Sequence, residues 1–215
     1  MVDTEPIYKR AWQSAAHACG YPFDDSFYLT LIGKPTPVSE LLLLEHFGES
    51  FPLPDFRVRW SDLWLKEVES SGIPIKPGLS ELLAFFAQHE LPVAVATSSA
   101  REYAAISLRA ARLDTWFEHV VTGDQVERGK PFPDIFLESA RRLGVDAHRC
   151  VALEDSDAGV LAASAAGMTT IMVPDLKAPS AEARSAAFSI VASLFDARTQ
   201  IAALLSGTPG AHALD

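Results

Sequence analysis

Apolar positions change their spacing along the chain near Pro74. Before it they recur every three or four residues. Within Asp55–Ser70, Phe56, Trp60, Leu63, Trp64 and Val68 share one face of a predicted helix. Tyr8–Cys19 reads as an Ala-rich helix with aromatic residues on one side. Ser39–Phe47 reads as another, carrying the run Leu41-Leu42-Leu43-Leu44. Gly20, Gly33-Lys34-Pro35 and Phe51-Pro52-Leu53-Pro54 separate these segments. Helical apolar stripes usually bury, so the leucine run and the Trp60/Trp64 pair are expected to be the core of a small helical bundle rather than a ligand groove.

From Pro77 onward, short apolar runs alternate with helical segments. Strands are expected at Leu91–Thr97, His119–Thr122, Cys150–Leu153, Thr169–Val173 and, more weakly, Ser189–Ala192. Helices are expected at Leu79–His89, Ala100–Ala111, Pro133–Leu143, Ala158–Ala166 and Phe195–Leu205, with Gly144 and Gly167 as stops. Continuous apolar strands alternating with helices imply an α/β fold whose parallel sheet is covered on both faces. The tail from Gly207 is expected to fray.

Composition narrows the function classes. The 215 residues are 48% apolar and 21% charged, ordinary for a globular protein. A net charge of −10 without a basic run argues against nucleic-acid and anionic-membrane partners. The uncharged stretch Ala158–Pro174 is broken by Gly159 and Gly167 and is too short to span a bilayer. No secretory leader is expected at the N-terminus. Cys19 and Cys150 read as buried thiols in a reducing cytoplasm. With no long apolar seam, a monomer is favoured.

In an open parallel sheet, ligands bind beyond the carboxyl ends of the strands. There the sequence offers Thr97-Ser98-Ser99, then Gly123-Asp124 with Arg128-Gly129-Lys130-Pro131, then Glu154-Asp155-Ser156-Asp157. Hydroxyls, a lysine and carboxylates together suit a phosphate group with Mg²⁺. The metal prefers oxygen ligands, and the lysine supplies a positive point charge. Singly, each has a plainer explanation. Ser99 with Glu102 fits a capping box, and Thr97 fits an ordinary strand end. Asp155, Ser156 and Asp157 could cap a helix, and Lys130 could be a solvated surface lysine. As an ordered set on successive strand ends, they favour a site.

The same residues carry a family resemblance. Thr97 closing an apolar strand, Lys130-Pro131 after a Gly-Asp loop, and Glu154-Asp155-Ser156 with Gly159 resemble motifs two, three and four of the haloacid dehalogenase-like hydrolase superfamily. Val2-Asp3-Thr4-Glu5-Pro6 resembles the segment just after the first motif of its β-phosphoglucomutase-like phosphatase branch. The resemblance implies a Rossmann-like parallel-sheet core, residues 75–215 with 1–4, and a small α-helical cap, residues 5–74. It implies a Mg²⁺-dependent phosphatase of a small phosphorylated metabolite, such as a sugar phosphate, acting through an aspartyl-phosphate. Thr97 and Lys130 would be catalytic, and Thr97, Ser98 and Lys130 would hold the phosphate. Asp155 would bind Mg²⁺ directly, with Glu154 accompanying it or acting through water.

The family's first motif, an apolar strand ending in Asp-x-Asp-Gly, does not occur in the sequence. Both catalytic aspartates would lie upstream of Met1, and the first core strand would be missing. Losing four or five buried apolar side chains would forfeit about 6–15 kcal/mol, comparable with a domain's whole stability of about 5–15 kcal/mol. Either Met1 is an internal methionine taken as a start, or the chain is a truncated, non-catalytic relative. On both readings the chain as written is expected not to hydrolyse p-nitrophenyl phosphate with Mg²⁺. A phosphosugar mutase is the nearest rival. Against it, Tyr8 stands where β-phosphoglucomutases carry a histidine, and Gly33-Lys34-Pro35-Thr36 lacks their arginine.

Overall fold

The computed structural model describes residues 1–32, 34 and 36–207, which fall into two compact units. Met1–Ile75 with Ala105–Leu113 forms one. Lys76–Ala104 with the described chain from Asp114 forms the other.

The first unit contains α1 (Glu5–Ala18), α2 (Asp25–Leu31), α3 (Thr36–Phe47) and α4 (Leu53–Ser71). Pro6 stands in the first turn of α1, where its missing N–H costs no hydrogen bond. Ala11, Ala15 and Ala16 are buried small residues on α1, which let α4 approach closely. Trp12 meets Phe56 edge-on at 5.4 Å between ring centroids and Trp60 at 5.8 Å. Tyr8 stacks on Trp64 at 5.4 Å. Phe56, Trp60, Trp64 and Val68 are buried as their spacing predicts, whereas Leu63 is exposed. The leucine run departs from expectation. Leu43 is buried, but Leu41 is 66% exposed. Successive helical residues point about 100° apart, so four in a row cannot share one face. The Asp24 carboxylate caps α2 by accepting from the Phe27 N–H at 2.9 Å. Asp3 N–H donates to the Pro74 carbonyl at 2.8 Å beside a Val2–Ile75 bridge, joining the two ends of this segment.

The second unit carries α5 (Leu79–Gln88), β1 (Ala94–Thr97), the start of α6 (Arg101–Ala110), β2 (His119–Thr122), α7 (Asp134–Leu143), β3 (Val151–Glu154), α8 (Asp157–Ala165), β4 (Thr169–Met172), α9 (Ala181–Ala186), β5 (Ser189–Ile190) and α10 (Leu194–Leu205). All the strand pairs are parallel, giving the expected α/β class. They form two sheets rather than one, β1-β2 and β3-β4-β5, among the described residues. β1 is mostly half-buried and Val151 of β3 is 38% exposed, more open than interior parallel strands usually are. Val121, Ile135, Phe136, Ala152, Ala162, Ala163 and Ala166 pack as one core cluster drawn from β2, α7, β3 and the α8 region.

The strand expected at Leu91–Thr97 is shorter because its start closes α5. Glu90 is left-handed (φ 52°), and the Leu91 N–H returns to the Phe86 carbonyl at 2.9 Å. Pro92 then has no N–H to give a ladder. The last strand stops at Ile190, short of Ala192. Cys19 and Cys150 are half-buried, not buried, and burial pushes the Cys150 thiol upward in pKa. None of the described helices is long and apolar enough to cross a membrane. Gly33 and Pro35 of the Gly33–Thr36 segment, and the tail beyond Gly207, lie outside the described residues.

Candidate functional site

The carboxyl ends of β1 and β3 are brought together by one lysine. Lys130 lies in the loop between β2 and α7. Its Nζ donates to the Ala96 carbonyl at 3.2 Å and to Glu154 Oε1 at 2.5 Å. The Lys130 and Glu154 side chains are 9% and 7% exposed. The Phe136 ring adds a face 5.0 Å from Nζ. Lys130 is thus a buried, paired cation rather than the solvated surface lysine its sequence position alone allows. Ala96 immediately precedes Thr97, and Glu154 precedes Asp155, so the loop lysine gathers residues from two sheets.

At the end of β1, Thr97 Oγ1 accepts the Ser99 N–H at 3.2 Å. The Thr97 hydroxyl proton is left to donate elsewhere. Ser98 is exposed, with its carbonyl against Gly123. A Cβ at 123 would stand 2.5 Å from the Ser98 oxygen, which is why glycine occupies that position.

The cap of α6 differs from the Ser99/Glu102 box. The Arg101 N–H donates to both carboxylate oxygens of Asp124, at 3.2 and 3.3 Å, across 23 residues of sequence. Asp124 also accepts the Thr122 hydroxyl at 2.5 Å. Those two bonds, Thr122 first, hold the Asp124 carboxyl below the ordinary aspartate pKa. Sequence reasoning placed Asp124 near the site without giving it this task. The available signal was an acid directly after a glycine at a strand end.

At the end of β3 the four polar residues divide their work. Ser156 is the N-cap of α8, accepting from the Gly159 N–H at 3.1 Å and donating to Glu154 Oε2 at 3.2 Å. Asp157 accepts the Ser180 N–H at 3.1 Å, just before α9. The helix-end explanation therefore holds for Ser156 and Asp157. Both Glu154 oxygens are engaged, by Lys130 and by Ser156. Asp155 is exposed, and among the described residues its carboxylate has no protein hydrogen bond or ion pair. Arg128 is occupied by a two-pronged pair with Asp134 at 2.9 and 3.1 Å.

No group of three or more His, Cys, Asp or Glu capable of holding a metal occurs among the described residues. The donor set still fits Mg²⁺, which commonly takes one or two protein carboxylates and completes its shell with water and phosphate oxygens. Asp155 has open oxygens for that shell. Glu154, with both oxygens occupied, could join only through a water or by yielding a bond.

A sequence profile described as haloacid dehalogenase-like hydrolase matches residues 1–173. The chain belongs to that family. It is 34% identical over 171 residues to a phosphorylated carbohydrates phosphatase of Thermotoga maritima, covering 80% of this chain and 79% of that protein. It is 30% identical to the fructose-1-phosphate phosphatase of Escherichia coli, covering 80% of this chain and 90% of that one. A solved Thermotoga maritima structure, provisionally named a β-phosphoglucomutase, superposes with a TM-score of 0.75 and 30% identity over 97% of this chain and 95% of its own. For this haloacid dehalogenase-like hydrolase, the lysine-bridged strand ends lie where the fold class places ligands.

Proposed function

We propose that this hydrolase is a Mg²⁺-dependent phosphatase of small phosphorylated carbohydrates. The observation that carries the reading is the buried Lys130 bridge, which joins the Ala96 carbonyl and Glu154, the residues that directly precede Thr97 and Asp155. The carbohydrate class is supported by what the two phosphatase relatives act on.

In this reading the free Thr97 hydroxyl and the exposed Ser98 hydroxyl donate to phosphate oxygens. Lys130 makes the potential around the reacting group more positive and so stabilises its negative charge, the main way phosphoryl transfer is assisted. Asp155 holds the metal, with Glu154 oriented behind it by Lys130 and Ser156. Mg²⁺, when bound, supplies charge neutralisation on the phosphate oxygens. The family's Asp-x-Asp-Gly nucleophile segment is not among the 215 residues, so we assign them the phosphate, lysine and metal side of the site and no turnover of their own. The helices within residues 5–74 act as the specificity cap, and the protein works in the cytoplasm as a monomer.

The test reads the gene upstream of Met1 and assays the longer product. A strand ending in Asp-x-Asp-Gly, with Mg²⁺-dependent phosphate release from a hexose or hexitol phosphate, is the expected result. A longer product that carries the motif and releases phosphate from no member of such a panel overturns the activity. Hydrolysis of p-nitrophenyl phosphate by the 215-residue chain, abolished by Asp155→Ala, overturns the assignment of a partial site. Sustained conversion of β-glucose 1-phosphate to the 6-phosphate would favour the mutase.

A further inference from the structure

We propose that Asp124 is a positioning residue for phosphate, fixing the Thr97–Ala100 turn from the neighbouring strand end. The inference rests on the phosphatase reading above and adds a residue to it.

Three independent contacts join the two turns. Asp124 accepts the Arg101 N–H with both oxygens, at 3.2 and 3.3 Å. The Gly123 N–H donates to the Ser99 carbonyl at 3.1 Å. Gly123 itself lies against Ser98 so closely that a Cβ would meet its carbonyl oxygen at 2.5 Å. Inside the turn, the Ser99 N–H to Thr97 Oγ1 bond fixes which way the Thr97 hydroxyl can donate. The turn is exposed at Ser98 and Ala100, and among the described residues the side-chain acceptor for the Arg101 N–H is Asp124. A carboxylate from another loop therefore helps to fix the turn's shape. The Thr122 hydroxyl in turn orients that carboxylate at 2.5 Å. A preorganised turn presents its donors without reorganisation when an anion arrives. A freed turn must be ordered by the ligand, which weakens binding.

Asparagine at 124 keeps an acceptor for the Arg101 N–H and the Thr122 hydroxyl. Alanine keeps neither. The experiment titrates inorganic phosphate in saturating Mg²⁺ into the 215-residue chain and its Asp124→Ala, Asp124→Asn and Thr122→Val variants. Amide exchange at Ser99 and Arg101 is read alongside. Hydrogen bonds to charged groups contribute enough that Asp124→Ala should weaken phosphate about tenfold or more. Asp124→Asn should recover most of that loss, and Thr122→Val should fall between. Faster exchange at Arg101 should accompany the loss in Asp124→Ala. A purely structural role would lower thermal stability without changing the affinity of the folded protein. Equal affinity in Asp124→Ala overturns the inference while leaving the phosphatase reading intact. Tighter binding also overturns it, because the carboxylate would then be repelling the anion. If Asp124→Ala does not fold, equal affinity in both Asp124→Asn and Thr122→Val, with unchanged Arg101 exchange, overturns the inference. No phosphate binding by the unaltered chain overturns this inference together with the assignment of a phosphate site to these 215 residues, while the activity stands or falls with the assay of the longer product.

Discussion

Gly159 lies against the Glu154 carboxylate so closely that a Cβ at position 159 would fall 1.8 Å from Oε2 and 2.1 Å from Cδ. Glu154 cannot move aside freely, because Lys130 holds its other oxygen at 2.5 Å. A Gly→Ala change within a helix normally gains about 1 kcal/mol. Here the sign should reverse. Gly159→Ala is expected to cost about 1–3 kcal/mol, as overpacking of buried sites does. Denaturant unfolding measures it. A midpoint equal to or above that of the unaltered chain would show that the carboxylate relocates easily.

Lys130 and Glu154 should be strongly coupled. Removing one member of a buried pair leaves an uncompensated charge and costs about 3–5 kcal/mol, whereas replacing both can be nearly neutral. Lys130→Met is therefore expected to be far more destabilising than Lys130→Met combined with Glu154→Gln. A double-mutant cycle by chemical denaturation reads the coupling. Additive effects would show that solvent screens the pair despite side-chain exposures of 9% and 7%.

What the sequence made legible was mostly local. Thr97, Lys130 and Glu154 could be singled out because each closes or follows a short apolar run, and parallel strands send those ends to one edge. The long aromatic helix α4 was legible because Phe56, Trp60, Trp64 and Val68 repeat at helical spacing. The failures were non-local or short. The acceptor that caps α6 comes from Asp124, 23 residues away, while Ser99 and Glu102 offered a plausible local box. α2 spans seven residues, too few for a periodicity to show, and its remaining signal was the Asp24 cap. Which leucine of Leu41–Leu44 faces inward depends on helix phase, which a uniform run does not encode. The division into two sheets depends on pairing between distant segments, which strand composition does not report.

Asp155 separates function from stability. Its carboxylate is exposed and bonded to no protein group among the described residues. Asp155→Ala should therefore change unfolding free energy by no more than about 0.5 kcal/mol, as for surface positions. Any rise in melting temperature produced by millimolar Mg²⁺ should disappear, because that rise reports ion bound to the native state. Thermal melts with and without Mg²⁺ on both proteins decide it. An undiminished Mg²⁺ effect in the variant would remove Asp155 as the direct ligand.

Glu138 gives the acid limb of stability a defined contributor. Arg141 donates to its carboxylate at 2.7 and 2.8 Å, and Arg142 at 2.8 Å, which pulls its pKa from the ordinary 4.5 to about 2. Arg142 also reaches the Val120 carbonyl at 3.0 Å, so the pair helps tie α7 to β2. A depressed folded-state pKa stabilises the protein fully above the unfolded value. That contribution fades as pH falls from about 4.5 towards about 2. Glu138→Gln keeps the shape and one acceptor oxygen but loses the charge. At pH 7 it should be less stable by about 1 kcal/mol, the upper range for exposed ion pairs. The gap should hold down to about pH 5 and close by about pH 2, with the unaltered chain losing the more. Denaturant melts of both proteins across that range read it. A gap that stays constant to pH 2, or opens as pH falls, would mean the arginines do not stabilise the ionised carboxylate.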